Sequence, residues 1–150
     1  MLHIYVDADA CPVKEEVYRV AKRYGLRVTL VANSWMRIRR QSWLALVVVD
    51  DDLDSADNWI VSHAGANDIV ITGDIPLAAR CLAKGASVLD TRGGEFTKER
   101  IGEAKAAREL LSGLRDMGAI TGGPKPFDKR HRSRFLQRLD QIVQAARKSS

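Results

Sequence analysis

The chain has 150 residues, 45% of them hydrophobic, which is enough for one core and too short for two separate catalytic domains. Lys and Arg number 24 against 19 Asp and Glu, and the resulting charge of +5 favours phosphate-bearing partners. Cys11 and Cys81 form no CxxC pair and no Cys/His cluster, so a disulfide framework and structural zinc are excluded and two free thiols are expected.

Leu2-His3-Ile4-Tyr5-Val6 reads as a first strand ending at Asp7. After Cys11, the apolar positions Val13, Val17, Val20, Ala21 and Tyr24 have helical spacing, with Pro12 suited to the first helical position and Gly25 to the stop. Leu26 to Val31 forms a second strand and Leu44 to Val49 a third, whose unbroken apolar character predicts burial on both faces. Ala56, Trp59 and Ile60 mark a second helix, Ile69-Val70-Ile71 a fourth strand, Ile75 to Leu82 a third helix, and Val88-Leu89 a short fifth strand. Further helices are expected from about Thr97 to Met117 and from about Ser133 to Arg147, separated by a loop rich in Gly and Pro. This alternation predicts a doubly wound α/β fold: a mostly parallel five-stranded sheet with helices on both faces, for which the order 3-2-1-4-5 is taken, and residues 118–150 as a basic loop-plus-helix extension of a single domain.

The longest apolar run, Trp43 to Val49, is far below bilayer-spanning length, and no basic segment followed by a long apolar stretch opens the sequence. A cytoplasmic protein without a membrane partner is therefore expected.

Ligands of open parallel sheets bind beyond the carboxyl ends of the strands, where strand order reverses. Asp7 and Asp9 follow the first strand, Asp50 to Asp52 the third, Asp74 the fourth and Asp90 the fifth. The order 3-2-1-4-5 sets Asp7 beside Asp74, where two carboxylates repel unless a cation or proton lies between them. Asp54 suits a cap of the second helix, whereas Asp57 shares a stripe with Leu53, Ile60 and Val61 that should face the sheet, so its carboxylate needs a partner. Oxygen ligands of this kind suit Mg²⁺ or Mn²⁺ and leave open positions for a phosphodiester. Lys125, Lys129, Arg130, His131, Arg132, Arg134 and Arg138 form the densest basic run, with Phe127 and Phe135 interleaved; Arg37, Arg39 and Arg40 form a shorter one. Both suit a nucleic-acid strand, although the two Phe residues are better read as core.

Val6-Asp7-Ala8-Asp9-Ala10-Cys11-Pro12-Val13-Lys14, Val31-Ala32-Asn33-Ser34, Asp54-Ser55-Ala56-Asp57-Asn58-Trp59-Ile60, Asp68-Ile69-Val70-Ile71-Thr72-Gly73-Asp74-Ile75-Pro76-Leu77-Ala78 and Gly123-Pro124-Lys125-Pro126-Phe127 together closely resemble the bacterial YaiI/YqxD family, from Met1 to about Asp140. That pattern in turn resembles PIN-like nuclease domains, in which acids from the first strand, a middle helix and the end of the fourth strand gather metal ions to cut RNA or DNA. The resemblance implies a metal-dependent nuclease, more readily on RNA, with Asp7, Asp57 and Asp74 as catalytic metal ligands and Asp9 and Asp54 in support. Asn33, Ser34 and Lys14 would position water or substrate, while Arg37, Arg39, Arg40, Lys125, Arg130, Arg132 and Arg134 would bind the nucleic acid. PIN nucleases commonly carry another acid soon after the third, and here that stretch reads Ile75-Pro76-Leu77-Ala78-Ala79.

Two other readings stand beside it. One is an RNA-binding domain without turnover. The other is a phosphatase, because Asp7-Ala8-Asp9 also resembles the Asp-x-Asp of haloacid-dehalogenase-like enzymes. Cys11 near a helix start could be a nucleophile, but a buried structural Cys fits better. The Cys-x5-Arg spacing of cysteine phosphatases fails, with Val17 and Ser87 at the required positions. The Gly118 to Lys125 loop fails as a Walker A motif because Pro124 interrupts its Gly-Lys step.

Overall fold

The computed structural model describes residues 2–52, 54–116 and 126–149. Five strands, β1 (His3–Asp7), β2 (Arg27–Ala32), β3 (Leu44–Val48), β4 (Ile69–Ile71) and β5 (Ser87–Leu89), alternate with helices α1 (Lys14–Tyr24), α2 (Ser55–His63), α3 (Ile75–Ala83), α4 (Lys98–Asp116) and α5 (Lys129–Ser149). The strands pair in parallel, as the alternation predicts, and in the expected order β3-β2-β1-β4-β5. Val6 pairs with Ile71 across β1 and β4, so one step further along this register Asp7 meets Thr72. This pair of strands is where the order reverses.

Side chains alternate across each strand, and the two faces build two cores. Ile4, Val6, Val28, Leu30, Ile69 and Ile71 pack against Val17, Val20 and Ala21 of α1 and against Phe135, Leu139 and Val143 of α5. Tyr5, Val31, Val70 and Val88 pack against Ala56 and Ile60 of α2, Leu77, Ala78 and Cys81 of α3, and Ile101 of α4. The last helix is thus part of the core: Phe135 and Leu139 are fully buried, the outcome expected for Phe135. Among the described residues no helix is long and apolar enough to cross a membrane.

Gly25 ends α1 at φ +65° with its N–H bonded to the Ala21 carbonyl, as its place in the sequence predicts. Gly93, at φ +91°, allows a closer approach: a Cβ there would lie 2.6 Å from Arg134 Cγ and 2.8 Å from the Phe135 nitrogen, so α5 rests directly on this glycine.

Four sequence expectations need correction. Pro12 is not the first residue of α1; it sits in a turn, and the helix starts at Lys14 with Val13 at its N-cap. The third strand is not buried on both faces, because it is the sheet edge: Ala45 and Val48 are exposed, Val48 at 48%. Asp54 occupies the N-cap position of α2, but its side chain makes no cap hydrogen bond. The last helix starts at Lys129 rather than Ser133, because Asp128 caps it earlier, its Oδ1 accepting the N–H groups of Arg130 (2.9 Å) and His131 (3.2 Å).

Candidate metal and phosphodiester site

Three acids reach the carboxyl edge of the sheet on three different elements: Asp7 ends β1, Asp74 is the N-cap of α3, and Asp57 lies in the first turn of α2. Thr72 ties the first two together. Its hydroxyl, in a side chain 1% exposed, donates to Asp7 Oδ2 at 2.9 Å and accepts the Asp74 N–H at 3.0 Å. Asp74 Oδ1 in turn accepts the Leu77 N–H at 3.0 Å, so part of this carboxylate serves as a helix cap. Thr72 carries no role in the sequence reading; the signal available was its register position opposite Asp7.

The acids feel one another. Burial pushes the Asp57 carboxyl up to about 6, and the negative charges of Asp74, Asp7 and Asp54 push it the same way, with Arg80 opposing. Burial likewise raises Asp7; the Thr72 hydroxyl counters it, while Asp74 and Asp9 add to the rise. The expectation that Asp57 needs a partner therefore has a concrete form: its nearest charges are mostly of its own sign. Asp9 is exposed and its Oδ2 accepts the Asn33 N–H at 2.9 Å, which fixes the loop after β2 to the loop after β1. Asn33 Oδ1 is buried without a hydrogen-bond partner among the described residues. Ser34 is exposed beside it. Lys14 is half-buried and donates from Nζ to the Cys11 carbonyl at 3.2 Å.

Asp7, Asp9 and Asp74 each use one carboxylate oxygen in these bonds, and the other has no hydrogen bond among the described residues. That donor set suits a hard divalent cation. Among the described residues, however, no three His, Cys, Asp or Glu side chains are grouped so that they could hold a metal ion together. An ion of the Mg²⁺ type keeps several waters and needs only one or two protein carboxylates together with substrate phosphate.

The basic residues divide. Arg39 is paired with Glu15 (2.7 Å) and lies over the Tyr18 ring. Arg132 donates to the Pro12 carbonyl (2.6 Å) and to Glu16 (3.0 Å), bringing the start of α5 to the turn after β1. Arg130 faces Asp128 at 3.9 Å and is 90% exposed. Arg37, Arg40 and Arg134 are exposed with no ion pair among the described residues. Lys125 lies outside the described residues. Asp50 to Asp52 are exposed beyond β3. Both cysteines are buried free thiols, and burial raises Cys11 and takes Cys81 to about 11, so neither is an activated nucleophile.

The chain matches the family described as an uncharacterized BCR, YaiI/YqxD family, over residues 5–145. It is 53% identical over 148 residues to a UPF0178 protein of Parvibaculum lavamentivorans, covering 99% of this chain and 97% of that protein. It is 49% identical to one of Paramagnetospirillum magneticum over 148 residues, covering 99% and 98%, and 51% identical to one of Rhodospirillum centenum over 152 residues, covering 99% of each. With motifs, sheet order and full-length likeness in agreement, the chain belongs to the YaiI/YqxD family.

Proposed function

We infer that the protein is a metal-dependent phosphodiesterase, a nuclease acting on RNA, with Asp7, Asp57 and Asp74 as its acidic centre. The observation that supports this reading is the convergence of acids that are not neutralised by neighbours: Asp57 is raised to about 6 with Asp74, Asp7 and Asp54 among the causes. Asp7 and Asp74 would hold Mg²⁺ or Mn²⁺ through their unbonded oxygens, with Asp57, Asp9 and Asp54 acting on its waters. Such an ion supplies positive charge against a phosphodiester and acidifies water at the site. The chain's own groups do the rest. Thr72 holds Asp7 and Asp74 in fixed orientation, and Arg37 and Arg40 bind flanking phosphates.

A second reading, an RNA-binding domain without turnover, is favoured by one observation: the described residues include no group of three His, Cys, Asp or Glu that could hold a metal ion. Incubation of the purified chain with Mn²⁺ or Mg²⁺ and single-stranded RNA separates the two. The nuclease reading expects cleavage that EDTA stops and that Asp7→Asn and Asp74→Asn each lower by about a hundredfold or more. Salt-sensitive RNA binding without cleavage, unaffected by those two changes, establishes the binding domain instead.

A further inference from the structure

The segment after β2 has its own periodicity. Trp35, Arg37 and Arg39 are exposed, while Met36 and Ile38 between them are half-buried and pack on the α1/α5 core. This alternation is that of an extended chain, with one apolar row against the core and one row facing out. The outward row starts with Trp35, which at 73% is the most exposed large apolar side chain among the described residues. The segment is held at both ends, by the Asn33 N–H on Asp9 Oδ2 (2.9 Å) and by Arg39 on Glu15 (2.7 Å). Two residues of chain span at most about 7 Å, so Trp35 stays close to the point where the loop after β2 is bonded to Asp9. Arg37 follows on the same outward row, and Arg40 just beyond the Arg39 anchor; neither has an ion pair among the described residues.

An exposed indole followed closely in the chain by exposed arginines suits a single strand of nucleic acid, whose bases stack on aromatic rings while its phosphates meet arginines. In a duplex the bases are already stacked on each other and offer the ring no free face. We propose that Trp35 is a base-stacking platform at the entrance to the acidic centre, and that with Arg37 and Arg40 it selects single-stranded polynucleotide. The inference deepens the nuclease reading and rests on it for the identity of the adjacent centre. Trp35 here is a positioning residue: it fixes the nucleotide next to the phosphate presented to Asp7 and Asp74.

The test is binding of the full chain to a fluorescent oligouridylate of about 12 nucleotides, followed by anisotropy in EDTA so that no cleavage occurs. Trp35→Ala is expected to weaken binding by about tenfold or more, with Trp35→Phe keeping most of the affinity. The wild type is expected to bind a duplex of the same length more weakly, with no sensitivity to Trp35→Ala. Arg37→Gln is expected to reduce the slope of log affinity against log salt by about 1. An affinity of Trp35→Ala within about twofold of wild type overturns the proposal, as does a wild type that binds no oligonucleotide or prefers duplex. A Trp35→Ala change that alters oligomeric state while leaving RNA affinity in place assigns the ring to a contact between copies and also overturns it. Trp35-dependent binding without metal-dependent cleavage sustains the platform and removes the nuclease reading, so the two fail separately.

Discussion

Asp90 and Asp57 both lie along the carboxyl edge of the same sheet, yet their surroundings are opposite. Asp90, after β5, is surrounded by donors: Oδ1 accepts the N–H groups of Arg92 (2.8 Å) and Gly94 (2.9 Å), and Oδ2 pairs with the Arg100 guanidinium. Arg100 also lies 4.1 Å over the Phe96 ring, so this corner is a closed, self-neutralised clasp. Asp57, at the reversal point, faces Asp74, Asp7 and Asp54 with only Arg80 opposing. An acid after a strand is thus not by itself a site. The supply of counter-charge separates a residue that secures a turn from one whose charge is left uncompensated.

The sharpest way to break this contrast is at Asp90. Asp90→Ala strips partners from two backbone N–H groups and leaves a half-buried guanidinium unpaired, so it should cost about 2–4 kcal/mol in urea unfolding. A loss below about 1 kcal/mol would show the clasp to be ornamental.

Asp57→Asn should do the reverse. Because the folded state raises this carboxyl from 3.8 to about 6, the folded protein holds the proton more tightly than the unfolded chain does. The wild type therefore loses stability from this group as pH rises from about 4 to about 6, and Asn escapes that loss. After allowance for solvent screening at a partly exposed side chain, Asp57→Asn in EDTA should be about 1 kcal/mol more stable at pH 7 and no different at pH 4. A destabilised variant at pH 7 would mean that Asp57 has a favourable partner and belongs with Asp90.

The smallest effect is expected at Asp54. It sits at a helix start but makes no cap bond, so Asp54→Ala should change thermal stability by no more than about 0.5 kcal/mol, against about 1 kcal/mol for a working cap. A full cap-sized loss would place Asp54 with the structural acids.

Much of the architecture was legible because it depends on local rules. The apolar runs around Ile4, Leu30 and Ile71 and the helical stripe of Val13, Val17, Val20 and Ala21 fix element type by side-chain period, and short parallel connections leave few orders for the strands. The acids after β1 and β4 were legible for the same reason, since strand ends can be read from the sequence. Burial of the third strand was not, because a fully apolar run looks alike at the centre and at the edge of a sheet. The early start of α5 was missed because a single Asp128 reads as part of a charged run until its carboxylate is seen on two N–H groups.

Composition and periodicity sufficed for the α/β class and the free thiols, and the resemblance of the motifs for the family, since each follows from local chemistry or from residues close together in the chain. They could not tell which acids are neutralised. Whether Asp90 meets Arg100, Arg132 meets Glu16, or Thr72 joins Asp7 to Asp74 depends on segments distant in sequence arriving at the same point. Charge is felt through space rather than along the chain, so only the folded molecule separates its secured carboxylates from its exposed and mutually repelling ones.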